Sequence, residues 1–570
     1  MSGPGDGAPK SHNRREQPTP LTYAEGHGAD PKEVDWDPSL SPGSESSART
    51  QTSPARKPGD LDEASHSMVE GRQPREGSKP QAAVQSVEES DEGIVPRKPA
   101  KTWVTPVEPV EGRPEAKGKS VGRNASSTQG EIDALTFLQR IGQRAKEKPE
   151  EKWTTLLGHV KAPLLKEAFL RIRKDAATGV DGVTWEEYAA RLDERLLDLQ
   201  DRIHRGSYHP QPVRRVHIPK GDGKTRPIGI PSLEDKVVQQ AVRMVLEPIY
   251  EAEFIGFSYG FRPERSAHDA LDALASAIHR KVCWVLDADI KSFFDTIDHR
   301  CLQQFLEHRI GDRRMVHLLM KWVNAGVLED GQLHDVQAGT PQGGVISPLL
   351  ANIYLHYVLD LWAQSWRKKH ARGEMYVVRY ADDFVMAFQK EEDVLAMRKA
   401  LAERLAKFNL ELHPEKTRVI EFGRFAREER ARRGLGKPET FEFLGFVHIA
   451  GVSRQGKFQL KRRTSRKKRR AKLARLKDEI EHRRHRPVAE QHAWLSRVLE
   501  GHYRYYGVPT NSSALRSFRR AVKWSWHRSL QRRSQRAGWN REQWSSFEQR
   551  YPLPLARVVH PWPDKRFALR

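Results

Sequence analysis

Cysteine is almost missing from this sequence: Cys283 and Cys301 are the only two among 570 residues. Two thiols cannot build a multiply bridged secreted scaffold, nor a zinc ribbon that needs four thiolates. Also missing is any uninterrupted apolar run approaching the roughly eighteen residues of a membrane span, and the amino terminus has no apolar core of the kind a translocon reads. A soluble, cytoplasmic protein is expected, with no membrane contact. Acid is in short supply as well. Against 98 Lys and Arg stand 75 Asp and Glu, a net charge of +23, with a sequence pI near 9.8. That balance disfavours a small-metabolite site and points to a polyanionic partner, nucleic acid first.

Aromatics are scarce over residues 1–130, where Tyr23, Trp36 and Trp103 are the only ones, while 16 Pro and 14 Gly crowd the same stretch. Such a segment buries too little apolar surface to offset its chain entropy, so a disordered extension is expected there. The remaining length exceeds what one core usually organises, so several domains are expected. From Ile132, apolar residues Leu135, Phe137, Leu138 and Ile141 recur at helical spacing. Thr184 and Glu187 form a capping-box pair, after which Trp185, Tyr188, Leu192, Leu196, Leu199 and Ile203 predict one five-turn helix. Apolar runs on either side of Gly221-Asp222-Gly223 predict a β-hairpin over Val213–Ile230 with its tip at Pro219–Lys224. Helix returns at Ser232–Phe254. Ser347-Pro348 reads as N-cap then first helical residue for a helix through Trp362.

Two apolar runs, Val282–Ile290 and Tyr376–Phe388, read as strands that carry acids where a buried strand normally avoids them. Asp382 and Asp383 interrupt the second, and Asp289 ends the first. Ionised neighbours in such a place repel each other and lose hydration unless a cation compensates. Oxygen ligands without nearby thiolate or paired imidazole select Mg²⁺, and two such ions can activate a hydroxyl and hold a leaving pyrophosphate during nucleotidyl transfer. Because side chains alternate along a strand, only one of the adjacent pair should be a direct ligand unless the turn distorts. Taken alone, an Asp-Asp pair is more readily a solvated hairpin tip, and it is the combination with Asp289 that points to a metal. Asp287, Asp295 and Asp298 read as cap or surface carboxylates.

Tyr380-Ala381-Asp382-Asp383, Asp289-Ile290-Lys291-Ser292-Phe293-Phe294-Asp295, and Gly339-Thr340-Pro341-Gln342-Gly343-Gly344 followed by Ser347-Pro348-Leu349-Leu350 resemble the reverse-transcriptase blocks of bacterial group II intron-encoded proteins. They stand in that family's order, and further matches run from Asp181-Gly182-Val183-Thr184 to Leu412-His413-Pro414-Glu415-Lys416-Thr417 and Phe443-Leu444-Gly445-Phe446. The resemblance covers about 131–565. It implies an α+β right-hand polymerase: fingers over 131–280, a palm with the catalytic carboxylates over 281–450, then an all-α thumb and RNA-binding maturase domain X over 451–570. It implies Asp289, Asp382 and Asp383 as catalytic acids holding two Mg²⁺ ions, with Asp383 the least direct ligand. Lys220 and Arg226 match triphosphate contacts, Phe294 the steric gate beneath the sugar, Gln342 a residue near the nascent pair, and Lys416 a further active-site cation.

Between Lys461 and Arg486 the chain places 14 Lys or Arg against Asp478, Glu479 and Glu481. Lys461, Arg462, Arg463, Lys467, Lys468, Arg469 and Arg470 are the expected RNA contacts, although a solvated helix face is the plainer reading of any charge run. Later rings interleaved with arginine, Trp524 and Trp526 among them, suit either unpaired bases or the core of a helical bundle. The expected partners are group II intron RNA, an RNA template with a DNA primer or target, and dNTPs. A homodimer is compatible with the sequence but has no residue to support it. With no later Cys and no His-Asn-His set, a carboxyl-terminal endonuclease module is not expected. The rival readings are an RNA-binding splicing cofactor with an inactive polymerase site, or a retron, diversity-generating or defence-associated reverse transcriptase. The basic stretch after Lys461 speaks against the latter group.

Overall fold

In the computed structural model the described residues are 129–219, 225–329, 332–334, 339–340, 342–533 and 538–563. The expected amino-terminal disorder, the hairpin tip and Lys220 lie outside them. Helices α1 (Gln129–Glu147), α2 (Ala162–Arg171), α3 (Trp185–Ala189) and α4 (Leu192–Arg205) open the ordered region. The hairpin of β1 (Val213–Pro219) and β2 (Thr225–Ile230) follows, then α5 (Leu233–Glu251) and α6 (Ala267–Ile278). Next come β3 (Trp284–Asp289), α7 (Phe293–Thr296), α8 (His299–Arg309), α9 (Arg313–Val323) and the short strands β4 (Val327–Glu329) and β5 (Gln332–His334). Helix α10 (Ser347–Leu355) passes through a π-helical turn, His356–Asp360, into α11 (Leu361–Lys369). Strands β6 (Met375–Tyr380) and β7 (Asp383–Phe388), α12 (Glu391–Ala406), β8 (Arg418–Glu421) and α13 (Ala426–Arg432) complete the middle of the chain. Strands β9 (Phe441–Phe443), β10 (Phe446–Val452) and β11 (Phe458–Thr464) precede α14 (Arg466–His482), α15 (Val488–Tyr506), α16 (Ser512–Gln531) and α17 (Arg541–Arg550). The result is a mixed α/β architecture. Among the described residues no helix is long and apolar enough to cross a membrane.

The central sheet has the antiparallel order β6-β7-β3-β8. Because a strand alternates its faces, Leu286, Ala288, Phe384, Met386 and Phe388 enter one core, shared with α5, α8, α9 and α10,. Val285, Val378, Val385 and Ala387 enter a second, shared with α6 and the sheet β9-β10-β11. Both faces are therefore covered, which is why these strands read as near-continuous apolar runs. A third core, around Leu499, Phe518, Val522 and Trp526, holds α14 to α16 together.

Three expectations are corrected. The single helix over 185–203 is two: the capping box at Thr184 is present, but Arg191 at φ −131°, ψ 46° is not helical. Trp185 and Tyr188 stack on Phe169, and the break lets α4 turn Leu196, Leu199 and Ile203 into the core on its own axis. Ser347 is no N-cap, because Ile346 before it is already helical and the Ser347 hydroxyl instead accepts from Thr340 Oγ1 at 3.3 Å. The stretch after residue 450 does not begin as helix: β10 ends at Val452 and β11 carries the first basic residues of the charge run.

Candidate active site

Period-two geometry puts Asp287 and Asp289 on the same face of β3 as Val285, and the antiparallel register sets Asp289 directly against Asp383 of β7,. Asp382 is not on a strand. With Ala381 it forms the two-residue connection between Tyr380 and Asp383, which are register partners. Ala381 supplies the left-handed backbone, φ +60°, that such a tight reversal requires. The alternation argument therefore does not apply across the pair, and Asp287, Asp289, Asp382 and Asp383 all line one cavity of about 1150 Å³.

The turn is fastened from behind. Arg379, wholly buried, forks onto Asp360 at 2.5 and 2.7 Å. Its remaining nitrogen donates at 3.0 Å to both Asn352 Oδ1 and the carbonyl of Ala381. Asn352 in turn donates to the carbonyl of Gly260 at 2.7 Å. Gly260 lies so close that a Cβ there would stand on the backbone nitrogen of Ala381 and within 2.9 Å of the Tyr380 carbonyl carbon. On the other side, the amide of His413 donates to the carbonyl of Asp289 at 2.8 Å. The turn from His413 to Thr417 thereby delivers Lys416, whose Nζ reaches Asp289 Oδ2 at 2.5 Å.

Burial and the neighbouring acids push the Asp383 carboxyl up to about 7. Burial pushes Asp287 up to about 6, against the opposing pull of Arg418 at 3.3 Å. Asp382 is raised too, again by burial first. Lys416 and Arg418 pair with Asp289 and Asp287, whereas among the described residues Asp382 and Asp383 have no ion-pair partner, and this donor set, all hard oxygen, fits a divalent cation. Among the described residues no three carboxylate, imidazole or thiolate side chains already converge as a finished coordination shell. The Lys416 ammonium engages the Asp289 oxygen that such a shell would use.

Across the cavity the wall is basic: Lys467, Lys468, Lys472 and Arg475 of α14 line it, as does Arg226 of β2. Of the seven expected RNA contacts, only Lys467 and Lys468 therefore face the acids. Arg463 and Arg470 are exposed elsewhere, Lys461 and Arg469 are half-buried, and Arg462 does not belong to the group. Its guanidinium is buried and pairs with the equally buried Asp272 of α6 at 2.7 Å, a structural tie that leaves nothing for phosphate. Phe294 and Gln342 line a separate cavity of about 370 Å³ with Arg215 and Gly229. There the Gly229 amide donates to the Gln342 carbonyl at 2.7 Å. Gly343, at φ +121°, leaves no room for a Cβ beside Ile228,.

Asp287 was the acid that the sequence reading set aside, although its i, i+2 spacing from Asp289 on a strand already put both on one face. Lys472 and Arg475 were legible only as members of a charge run. Asp298 behaves as expected, capping α8 through the Cys301 amide at 2.8 Å.

An acid-floored cavity on an antiparallel sheet, faced by a basic helix, is the arrangement that suits metal-assisted chemistry on a polyanion,. Residues 218–448 match the family model for reverse transcriptase (RNA-dependent DNA polymerase). The chain is 40% identical over 274 residues to Protein YkfC of Escherichia coli, covering 42% of this chain and 71% of that protein. It is 38% identical over 233 residues to the group II intron-encoded protein LtrA of Lactococcus lactis, covering 40% of this chain and 39% of LtrA. It is 38% identical over 257 residues to a putative COX1/OXI3 intron 2 protein of Saccharomyces cerevisiae, covering 45% of this chain and 27% of that protein. The chain belongs to the reverse transcriptase family. It matches well under half the length of the intron-encoded relatives.

Proposed function

We propose that this chain copies RNA into DNA and, as a maturase, assists the splicing and mobility of a group II intron in a cytoplasmic ribonucleoprotein. The observation that carries the reading is the meeting of Asp289, Asp382 and Asp383 in one cavity whose opposite wall is Lys467, Lys468, Lys472 and Arg475. In this reading residues 131–280 act as fingers, 281 to about 464 as palm, and the helices from α14 onward as thumb and domain X. The β-sheet that ends at Thr464 supports moving the last division past 450.

Asp289 and Asp382 would hold two Mg²⁺ ions, with the more deeply buried Asp383 behind them. Bound there, the metal supplies activation of the primer hydroxyl and neutralisation of the pyrophosphate. Lys416, whose ammonium lies on Asp289 Oδ2, would be the further cation beside the metal and the dNTP. Arg226 neutralises the triphosphate, while Lys467 and Lys468 hold the backbone of the template and primer. Phe294, which lines the separate cavity with Gln342, would screen the sugar.

Primer extension on an RNA template tests this. Activity is expected with Mg²⁺, none after chelation, and none in Asp382→Ala; equal incorporation by native and variant chains would end the catalytic assignment. Phe294→Ala should extend with ribonucleotides as well as deoxynucleotides, and unchanged sugar preference would remove its gate role. For the maturase role, the purified chain should accelerate self-splicing of its flanking intron at low Mg²⁺, in Asp382→Ala as in the native chain.

A further inference from the structure

Helix α16 contains five cations and no acid in its 20 residues. Two of the five serve the fold. Arg519 donates to the carbonyls of Pro554 at 3.0 Å and Leu553 at 3.1 Å, and Lys523 pairs with Glu548 of α17. The other three, Arg516, Arg520 and Arg528, are exposed, and among the described residues none is paired with a carboxylate. They share one register with Trp524: positions 516, 520, 524 and 528 step by four, so each advances about 6 Å along the helix and turns about 40° around it. The opposite side of α16 is spent on the third core through Leu515, Phe518, Val522 and Trp526.

Trp524 and Trp526 divide the two readings that interleaved rings allow. Trp526 is 2% exposed and its indole nitrogen donates to Gln491 at 3.0 Å, so it is core. Trp524 is 52% exposed, and its only described companion is the Arg528 guanidinium, 5.2 Å from the ring centroid. A large ring held by a cation but left open to water fits a surface that takes a flat partner.

We propose that Arg516, Arg520, Trp524 and Arg528 form a contact strip for a single-stranded nucleic acid, with Arg516 and Arg520 on neighbouring phosphates, one unpaired base stacked on the Trp524 indole, and Arg528, about 12 Å beyond Arg520, on a phosphate past that base,. The 6 Å step is comparable to the spacing of phosphates along a strand, and a base within a duplex has no free face for the ring. This deepens the nucleic-acid reading above by naming where an unpaired strand lies, and it rests on that reading.

Fluorescence anisotropy of labelled oligouridylate, oligothymidylate and an RNA duplex, titrated with the full chain, tests the strip. Trp524→Ala should weaken oligouridylate binding about tenfold, the scale of one stacked base, whereas Trp524→Phe should keep most of it. Arg516→Gln, Arg520→Gln and Arg528→Gln together should lower the slope of log affinity against log salt by about 2 for single strands. Duplex binding should not move. An equal loss for the RNA and DNA strands assigns the strip to either, and a loss confined to one names the ligand. Unchanged single-strand affinity and salt slope would overturn the strip. So would an effect seen only on anionic phospholipid vesicles. Primer extension in the same preparations separates the two failures: intact extension with unchanged binding sinks only the strip, whereas an inactive native chain sinks the polymerase reading.

Discussion

Two buried charge clusters share the β6–β7 hairpin and differ in one respect. Behind the turn, Arg379 and Asp360 are both fully buried and fork onto each other, and the remaining Arg379 nitrogen donates to Asn352 Oδ1 and the Ala381 carbonyl. In front of it, Asp287, Asp382 and Asp383 have all been driven upward, chiefly by burial. The first cluster is closed and sets a shape. The second is open: among the described residues Asp382 and Asp383 have no ion-pair partner, and the basic side chains of α14 face them across a cavity. Burial alone therefore does not separate a structural ion pair from a reactive one; completeness of pairing does.

The largest effect is expected from opening the closed cluster. Asp360→Ala strands a buried guanidinium and should cost about 3–5 kcal/mol in urea unfolding, with activity lost alongside the fold. The double change Asp360→Leu with Arg379→Met should recover most of that stability, and failure to recover would show the pair is more than a matched set of charges. The open cluster should respond the other way: Asp382→Asn lowers primer extension about 10³-fold while the melting temperature holds or rises, because a repulsive charge has gone. A fall in melting temperature would place Asp382 with the structural group.

Gly260→Ala sharpens the contrast at the seam between the clusters. A methyl there displaces the Ala381–Asp382 turn, and extension should drop about 10²-fold through misplacement, with both acids and the Arg379 pair still present. The smallest effect concerns a third kind of burial. His448 is 0% exposed, its ring is stacked on Phe441 at 4.7 Å, and neither ring nitrogen has a hydrogen-bond partner among the described residues. Burial holds it down to about 3. Since the folded pKa lies below the unfolded one, the unfolded chain gains the proton first, and stability is lost as pH falls from about 6.5 toward 3. Between pH 7 and 5 the native chain should lose about 2 kcal/mol more than His448→Phe; equal losses would show that the imidazole is hydrated.

Much of this was legible in the sequence. Alternation and the Gly-rich break gave the β1–β2 hairpin, and acids at the ends of apolar strands gave the cavity floor. What stayed hidden was hidden for physical reasons. A one-residue kink at Arg191 leaves no mark on an apolar stripe that repeats every four residues. Leu460, Arg462 and Thr464 alternate inward on β11, but the lysine and arginines among them masked the strand and sent Arg462 to the wrong group. The charge count could say that cations were in excess, and only tertiary pairing could say which were already taken.

The tie that removed Arg462 from the RNA contacts has a wider effect. It bolts β11 to α6, and α14 springs from the end of β11 with Ser465 N held by the Gly445 carbonyl at 3.1 Å. The cationic wall therefore hangs from the same frame as the acidic floor, and their separation is a fixed gauge set from outside the cavity. Loosening that one bolt would let the jaw drift and release the strand sooner, without altering a single group that meets it.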